Sequence, residues 1–205
     1  PGGAAGRPGR RSGPKPGKRI FELGAAPGGK TLQLAAAGAQ VTALDISDRR
    51  MTRVRENLAR TKLTATCVVD DALTHEGAYD AILLDAPCSA TGTIRRHPDL
   101  PHAKDGTEFG DLIEQQEVLV DHAWSLLPPG ERLVFCTCSL LPDEGEVQVE
   151  EALARHADMT CDTPPPEGVD ASWKTEEGGL RLRPDYWADM GGMDGFYMAC
   201  LRKAA

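Results

Sequence analysis

The sequence predicts an α/β protein built on a doubly wound, mostly parallel sheet that closes with an antiparallel hairpin. Short apolar runs alternate with helical segments, which is the pattern of successive β-α-β units. The first run, residues 19–24, leads into a glycine turn, AAPGGK at 25–30. Later runs end in acidic or cysteine-bearing motifs. Because ligands bind at the carboxyl ends of parallel strands, these motifs are expected to converge in space.

The remaining strands are predicted from apolar or β-branched runs. Residues 40–46 (QVTALDI) and 64–69 are rich in residues that favour strands. Residues 81–84 form a continuous apolar run of the kind buried on both faces of a parallel sheet. Residues 132–137 predict another strand, and 195–201 (GFYMACL) predict the closing one.

Helices are predicted between these strands. Residues 30–37 and 48–60 are helical, the second with its apolar residues on one face. Residues 111–127 form a longer helix that the following Pro-Pro-Gly stops. Acidic residues at 143–146 suit the first turn of a further helix, because the helix dipole favours acids there. Residues 163–194 are rich in Pro, Gly and charge and are predicted to be loop.

Length and composition indicate one globular domain. The chain has 205 residues, of which 40% are hydrophobic and 26% charged, and about 150–200 residues suffice for one core. No apolar run approaches the roughly 20 residues that span a bilayer, and the N-terminus lacks the apolar stretch of a secretory signal. The six cysteines are not spaced like a disulfide scaffold. We expect a monomeric cytoplasmic protein with no membrane contact.

Charge is distributed unevenly. Residues 1–19 hold six Lys and Arg and no acid, so they carry +6; since the whole chain carries −8, residues 20–205 carry −14. The first segment is Gly, Pro and Arg with little to bury. We expect a disordered basic tail, or a truncated or garbled start, with an RNA-touching arm as the alternative. The acidic remainder argues against tight RNA binding by this domain alone.

Acids at successive strand ends predict a nucleoside-bearing ligand. Asp45 ends the second strand roughly 20 residues after the glycine turn, which is the usual place for an acid on ribose hydroxyls. Asp70 and Asp71 follow the third strand, and Asp85 follows the fourth. Taken singly, each acid could be a helix cap or a turn residue. The series as a whole favours the ligand site.

Two cysteines also follow apolar runs, each in its own motif. Cys88 lies in DAPCS at 85–89 and Cys138 lies in TCS at 137–139. Together with the glycine turn upstream, they predict a cofactor-dependent enzyme that attacks its substrate with a thiolate. The local sequence shows no His or Lys beside Cys138 that would ionise its thiol.

The other cysteines are expected to pack as small hydrophobes. They are Cys67, Cys136, Cys161 and Cys200. Residues 136 and 138 share one face of a strand, so a metal pair is conceivable. A structural metal site needs four ligands, and no second CxxC motif or His cluster supplies the others. We expect no metal.

The pairing of DAPCS with TCS resembles the Sun/Fmu family of RNA (cytosine-5)-methyltransferases, most of all its bacterial members that act on 16S ribosomal RNA. Family members carry D-x-C-A-A-P-G-G-K-T where this chain has E-L-G-A-A-P-G-G-K-T, so Glu22 replaces the Asp and Gly24 the Cys. The resemblance implies a class I methyltransferase catalytic domain at residues 20–205, with S-adenosylmethionine as cofactor. The cofactor-binding residues it implies are Gly24, Ala25, Ala26, Pro27, Gly28, Gly29, Lys30, Asp45, Asp71 and Asp85.

The resemblance also implies individual roles. The loop at 24–30 would cradle the methionine part of the cofactor, Asp45 the ribose, and Asp71 would lie near the adenine. Cys138 would be the nucleophile that adds to carbon 6 of cytosine, and Cys88 would serve product release. Asp85 would hydrogen-bond the cytosine edge. Addition to carbon 6 is needed because it makes carbon 5 nucleophilic.

Ribosomal RNA is the substrate that the resemblance favours. Arg95 and Arg96 follow the first cysteine motif and are candidate phosphate contacts, with a solvated basic loop as the alternative. A DNA cytosine methyltransferase would carry Glu-Asn-Val after Pro-Cys, and none occurs here. Transfer RNA, or a non-catalytic RNA-binding or ribosome-assembly role, remain alternatives. Residues 1–19 match neither the helix that usually precedes the first family strand nor an N-terminal RNA-binding domain.

Overall fold

A computed structural model describes residues 7–165 and 169–205 of the chain. The strands are β1 (Arg19–Leu23), β2 (Gln40–Asp45), β3 (Thr66–Val69), β4 (Ala81–Asp85), β5 (Arg132–Thr137), β6 (Met159–Cys161), β7 (Leu180–Leu182) and β8 (Phe196–Lys203). The α-helices are α1 (Arg7–Arg11), α2 (Gly29–Ala36), α3 (Asp48–Thr61), α4 (Leu100–Ala103), α5 (Phe109–Ser125) and α6 (Glu146–Arg155). Short 3-10 turns lie between them.

Within these ranges all eight strands belong to one sheet, in the order β3-β2-β1-β4-β5-β8-β6, with β7 also paired to β8. The first five strands pair in parallel, and β8 runs antiparallel to β5, β6 and β7. The register sets Leu23 level with both Leu44 and Leu84. The carboxyl ends of three adjacent strands therefore meet at one edge, as the sequence predicts.

Helices cover both faces of the sheet. On one face, Phe21 and Leu23 of β1 lie in a core cluster with residues of α5 and α6. On the other face, Ile20 lies in a second cluster with Leu34 of α2. Successive strand residues point to opposite faces, so one apolar strand supplies both cores. The doubly wound prediction is confirmed.

The start of the chain differs from the expected disordered tail over the part that the structure describes. Residues 7–11 form α1, and Ser12 is buried with its hydroxyl donating to Gly9 O at 2.7 Å. Gly17 N donates to Gly38 O at 3.2 Å, which fixes the segment beside α2. Composition alone did not reveal this packing, because backbone contacts hold it. The expectation for residues 1–6 lies outside the described residues.

The second half of the chain holds two strands that the sequence reading missed. Residues 163–194, predicted to be loop, contain β7, and β6 precedes them. Each has only three residues, too few to show a period-two pattern. Both pair with β8, whose predicted position is confirmed and which extends to Lys203. No helix in the described part of the chain is long and apolar enough to cross a membrane.

Candidate active site

The glycine turn brings β1 against the end of β4. Gly24 has a φ of +72°, and a Cβ built on it would lie 2.5 Å from the carbonyl oxygen of Asp85. A side chain is excluded by both the backbone conformation and the close approach. Behind the turn, Ala25 N donates to Leu44 O at 3.0 Å, and α2 begins at Gly29. The turn therefore lies on the carboxyl edge, between the ends of β2 and β4.

Lys30 and Asp85 form an ion pair at this edge. The Nζ of Lys30 lies 2.5 Å from Oδ2 of Asp85, and the two side chains are 12% and 30% exposed. Burial alone would lower the pKa of Lys30, but the Asp85 carboxylate outweighs that effect and raises it above its ordinary value. Lys30 therefore keeps its charge, and the pair links the glycine turn to the first cysteine motif.

Asp45 is buried and already holds nearby backbone groups. Its Oδ2 accepts from Ala26 N at 3.3 Å, and its Oδ1 accepts from Ser47 N at 3.0 Å. Arg50, which the sequence reading did not single out, lies 3.4 Å from Oδ2. A carboxylate has about four acceptor positions, so one remains for a ligand donor.

Asp71 occupies a different setting from Asp45. Its Oδ1 accepts from Leu73 N at 3.0 Å and caps a short 3-10 turn, and its side chain is exposed. It follows β3 by two residues, and Val69 of β3 is level with Asp45. Within the protein, Asp71 acts as a capping residue of a turn. Its position beside the strand ends also keeps it near the candidate ligand site.

Cys88 and Cys138 meet across the two cysteine motifs. Their sulfur atoms lie 3.5 Å apart, although the residues are separated by 50 positions in the chain. The hydrogen bond from Cys88 lowers the pKa of Cys138, against the opposing effect of burial. The same contact, together with burial, raises the pKa of Cys88. One thiol thus keeps its proton and stabilises the thiolate of the other.

Cys136 lies close by but in a different environment. It is fully buried, and its Sγ lies 3.5 Å from both Leu84 O and Asp85 Oδ1. Burial raises its pKa well above the ordinary value, so its thiol stays neutral and packs as a small hydrophobe. Among residues 7–165 and 169–205, no group of three or more His, Cys, Asp or Glu side chains could hold a metal ion.

The sequence reading missed the polar residues that tie the two cysteine motifs together. Ser89 and Ser139 each follow one of the paired cysteines, and their hydroxyl oxygens lie 3.1 Å apart. Glu144, which the sequence placed in a helix turn, is fully buried and accepts the Ser89 hydroxyl at 2.5 Å. The repeated Cys-Ser pair was a usable signal for the serines. Nothing local indicated that Glu144 turns inward.

Arg95 and Arg96 are exposed on the loop after the first cysteine motif. Arg96 Nε donates to Asp194 Oδ2 at 2.7 Å. Gly92 anchors this loop: its N donates to Cys138 O at 2.8 Å, and a Cβ on it would lie 2.2 Å from Gly195 O. The two arginines are therefore fixed near the backbone that carries Cys138.

A separate cavity of about 500 Å³ opens on the outer side of the glycine turn. It is bounded by Ala26 and Pro27 and by side chains of α3, three of them arginines. None of its lining residues is a cysteine or Asp85, so it is distinct from the thiol pair.

Comparison with known proteins assigns the family. The profile of the 16S rRNA methyltransferase RsmB/F family matches residues 12–202. This chain belongs to that family. The Sun/Fmu resemblance drawn from the two cysteine motifs is thereby confirmed.

Curated relatives of the RsmB/F chain are ribosomal RNA small subunit methyltransferases B. That of Erwinia tasmaniensis is 41% identical over 197 residues, covering 93% of this chain and 43% of the relative. That of Pasteurella multocida is 39% identical over 202 residues, with the same coverages. The chain thus spans less than half the length of these relatives.

Solved structures confirm the fold. PH0851 superposes with a TM-score of 0.89 at 30% identity, covering 98% of this chain and 46% of the other. NSun6 from Pyrococcus horikoshii, solved with SFG, gives a TM-score of 0.81 at 27% identity, covering 97% and 51%. The predicted class I methyltransferase fold is confirmed by these neighbours.

Proposed function

We propose that this RsmB/F chain methylates carbon 5 of cytidine in ribosomal RNA, with S-adenosylmethionine as methyl donor and a covalent cysteine–cytosine intermediate. The observation that carries the proposal is the pair of thiols 3.5 Å apart, one with a lowered and one with a raised pKa. Such a pair suits a reaction in which one cysteine attacks and another serves the release of the product. The names of the relatives supply the RNA class.

The residues at the carboxyl edge fit the cofactor. S-adenosylmethionine has cationic groups and ribose hydroxyls, and it supplies an electrophilic methyl group when bound. Asp45 retains acceptor capacity at the end of β2, and the Lys30–Asp85 ion pair places polar groups beside the glycine turn. We assign the loop from Gly24 to Lys30, with Asp45, Asp71 and Asp85, to the cofactor.

In this mechanism the Cys138 thiolate forms a bond to carbon 6 of the cytosine, and the electron pair moves toward the base edge. Asp85 lies beside the two thiols and hydrogen-bonds the edge of the cytosine base. Carbon 5 would take the methyl group as the bond from that methyl to the sulfonium sulfur breaks, which leaves a neutral thioether. Loss of the carbon 5 proton to a solvent base then re-forms the double bond between carbons 5 and 6 and expels the Cys138 thiolate. We assign Cys88 to this last step, because its protonated thiol lies against the sulfur that must leave.

Substrate contact and cellular setting belong to the same proposal. Arg95 and Arg96 contact RNA phosphate near the Cys138 loop. All six cysteines are free, which suits a reducing cytoplasm, and we propose a monomer. The acidic balance of residues 20–205 argues against strong RNA affinity of this part of the chain by itself.

Adduct trapping tests the chemistry. Cys88→Ala, Cys138→Ala and the double variant are incubated with labelled cofactor and either small-subunit ribosomal RNA or transfer RNA. An alkaline pH of about 8.5 increases the thiolate fraction of Cys138 when the hydrogen bond from Cys88 is absent. We expect a denaturation-resistant RNA adduct in Cys88→Ala that disappears in the double variant. Cys136→Ala is the matched control and should turn over normally.

The outcomes separate the alternatives. Methylation of transfer RNA alone would overturn the ribosomal assignment and keep the chemistry. Absence of an adduct in every variant, with cofactor bound, would overturn the covalent mechanism and favour a cofactor-binding assembly factor.

A further inference from the structure

The sheet does not by itself determine the distance between the two thiols. At the ends of β4 and β5, Ala86 N donates to Cys136 O at 3.0 Å. Beyond it both chains leave the sheet as loops, one carrying Cys88 and the other Cys138. One backbone bond, Gly92 N to Cys138 O at 2.8 Å, joins the two loops, but it lies four residues beyond Cys88. The position of Cys88 against Cys138 therefore also depends on side chains that cross between the loops.

Glu144 supplies those crossings from the 3-10 turn before α6. It is fully buried. Its Oε1 accepts from Ser89 N at 2.8 Å and from Gln116 Nε2 at 3.1 Å, and its Oε2 accepts from Ser89 Oγ at 2.5 Å. Its backbone carbonyl accepts from Thr137 Oγ1 at 2.9 Å. One residue thus contacts the neighbours of both reacting cysteines.

Gln116 extends the hold on the first loop. The same Nε2 that reaches Glu144 also donates to Pro87 O at 2.8 Å. Gln116 is fully buried on α5. The carbonyl of Pro87 and the amide of Ser89 flank Cys88, so both sides of this cysteine are fixed by buried groups.

The hydroxyl network continues to the second loop. Ser89 Oγ lies 3.1 Å from Ser139 Oγ, and Thr91 Oγ1 lies 3.1 Å from Ser139 Oγ. Because Ser89 donates to the carboxylate, it can accept the Ser139 hydroxyl. Leu140 N and Leu141 N donate to Thr91 and Ser139. Hydrogen bonds in such chains reinforce one another, and a buried carboxylate is the strongest acceptor to end one.

We propose that Glu144 is a positioning residue, which holds the Cys88 and Cys138 loops together so that the two sulfur atoms stay in hydrogen-bond contact. The inference deepens the proposed function and rests on it for its catalytic meaning. The Glu144 side chain acts through Ser89 and Gln116 and touches no reacting atom. Its removal would leave several buried donors unpaired and let the loops separate.

The consequence for Cys138 is specific. The groups that act on its thiol are Cys88, Asp85, Cys136 and Lys30, and the hydrogen bond from Cys88 is the largest influence. That contact depends most steeply on the separation of the two loops, because Asp85, Cys136 and Lys30 act on the thiol through charge, which weakens more slowly with distance than a hydrogen bond. Loss of Glu144 should therefore raise the pKa of Cys138 while the cofactor edge stays in place.

Two measurements test this without RNA or cofactor. The first is the rate at which diamide joins the two thiols as a disulfide, with diamide reduced to the hydrazine by the two hydrogens removed. The second is the pH midpoint of Cys138 alkylation by iodoacetamide. Both are followed by peptide mass spectrometry, so the other cysteines do not interfere. Variants are Glu144→Gln and Glu144→Ala, with Asp143→Asn as an exposed neighbouring control.

We expect Asp143→Asn to match the wild type. Glu144→Ala should slow cross-linking by about 10²-fold, which is the cost of misplacing reacting groups by about 1 Å, and its alkylation midpoint should rise. Glu144→Gln keeps one acceptor oxygen and should fall between them. If Glu144→Ala does not fold, Ser89→Ala removes the hydroxyl link between Glu144 and Ser139 and should shift both measurements in the same direction.

Folded variants that cross-link at the wild-type rate with an unchanged midpoint would overturn the inference, even if they melt at lower temperature. A slower kcat with unchanged KM for RNA and cofactor would support it. Since the thiol measurements need no substrate, a chain that methylates no RNA but shows the expected shifts refutes the proposed function and leaves the positioning role intact.

Discussion

Glu22 should make the stability of the protein depend on pH. It lies on β1, is 1% exposed, and its Oε2 accepts the hydroxyl of Thr31 at 2.6 Å. Burial raises its pKa from the ordinary 4.5 to about 8, although the Thr31 bond acts in the opposite direction. The native state therefore holds a proton on Glu22 that the unfolded chain has lost across this interval.

The sign and size of this pH dependence follow from the coupling between proton binding and folding. Because the folded pKa lies above the unfolded one, the stabilisation is fully present below about pH 4.5 and is lost as pH rises toward 8. At about 1.36 kcal/mol for each pKa unit, the loss by pH 8 is on the order of 4 kcal/mol. This is a large part of the roughly 5–15 kcal/mol that stabilises a typical domain.

Glu22→Gln removes the titration and keeps the shape and an acceptor for Thr31. Urea unfolding of wild type and variant is compared between about pH 5 and pH 8. We expect similar stabilities at the acidic end and a variant that is increasingly the more stable as pH rises. Glu150→Gln, an exposed change on α6, should follow the wild type. A constant difference between Glu22→Gln and wild type across the range would refute the reasoning.

Other expectations concern the reacting site. Cys138→Ala should abolish methylation in a labelled-cofactor assay. Cys136→Ala should retain methylation and lose on the order of 1 kcal/mol in urea unfolding, because a small buried side chain is removed with its weak contacts to Leu84 O and Asp85. Cys88→Ala should raise the pH midpoint of Cys138 alkylation, since the lowering hydrogen bond is lost. The double variant Arg95→Glu/Arg96→Glu should weaken RNA binding in a filter assay and leave cofactor binding unchanged. The salt dependence of RNA binding should correspond to about two fewer counterions released.

The parallel sheet was predictable because each of its strands carries a strong local signal. The run at 81–84 is apolar without interruption, as a strand covered on both faces must be. The helix at 48–60 was likewise marked by Met51, Val54 and Leu58, all buried in the structure. The segments α1 and β7 lack such signals. Tertiary contacts determine their conformation, and their sequences show no periodic hydrophobic pattern.

The residues of the candidate site likewise fall into those that the sequence predicts and those that only the fold reveals. Cys88, Cys138 and Asp85 could be named from their motifs, since the ends of parallel strands meet whatever the loops contain. The partner that lowers the pKa of Cys138 could not be named from its neighbours in sequence, because it lies 50 residues away. Glu144 was hidden for the same reason: an acid near a helix start has an ordinary role, and only the folded loops give it another.

The charges at the carboxyl edge explain how a thiolate can form there. The Asp85 carboxylate raises the pKa of Cys138, while the Lys30 ammonium lowers it. Because Lys30 and Asp85 are paired at 2.5 Å, their effects on the thiol partly cancel. The hydrogen bond from Cys88 then decides the direction of the shift. In the proposed mechanism, Asp85 would serve the cytosine edge beside the Cys138 thiolate while Lys30 offsets its charge, and this ion pair would link the glycine turn to the chemistry of the cysteines.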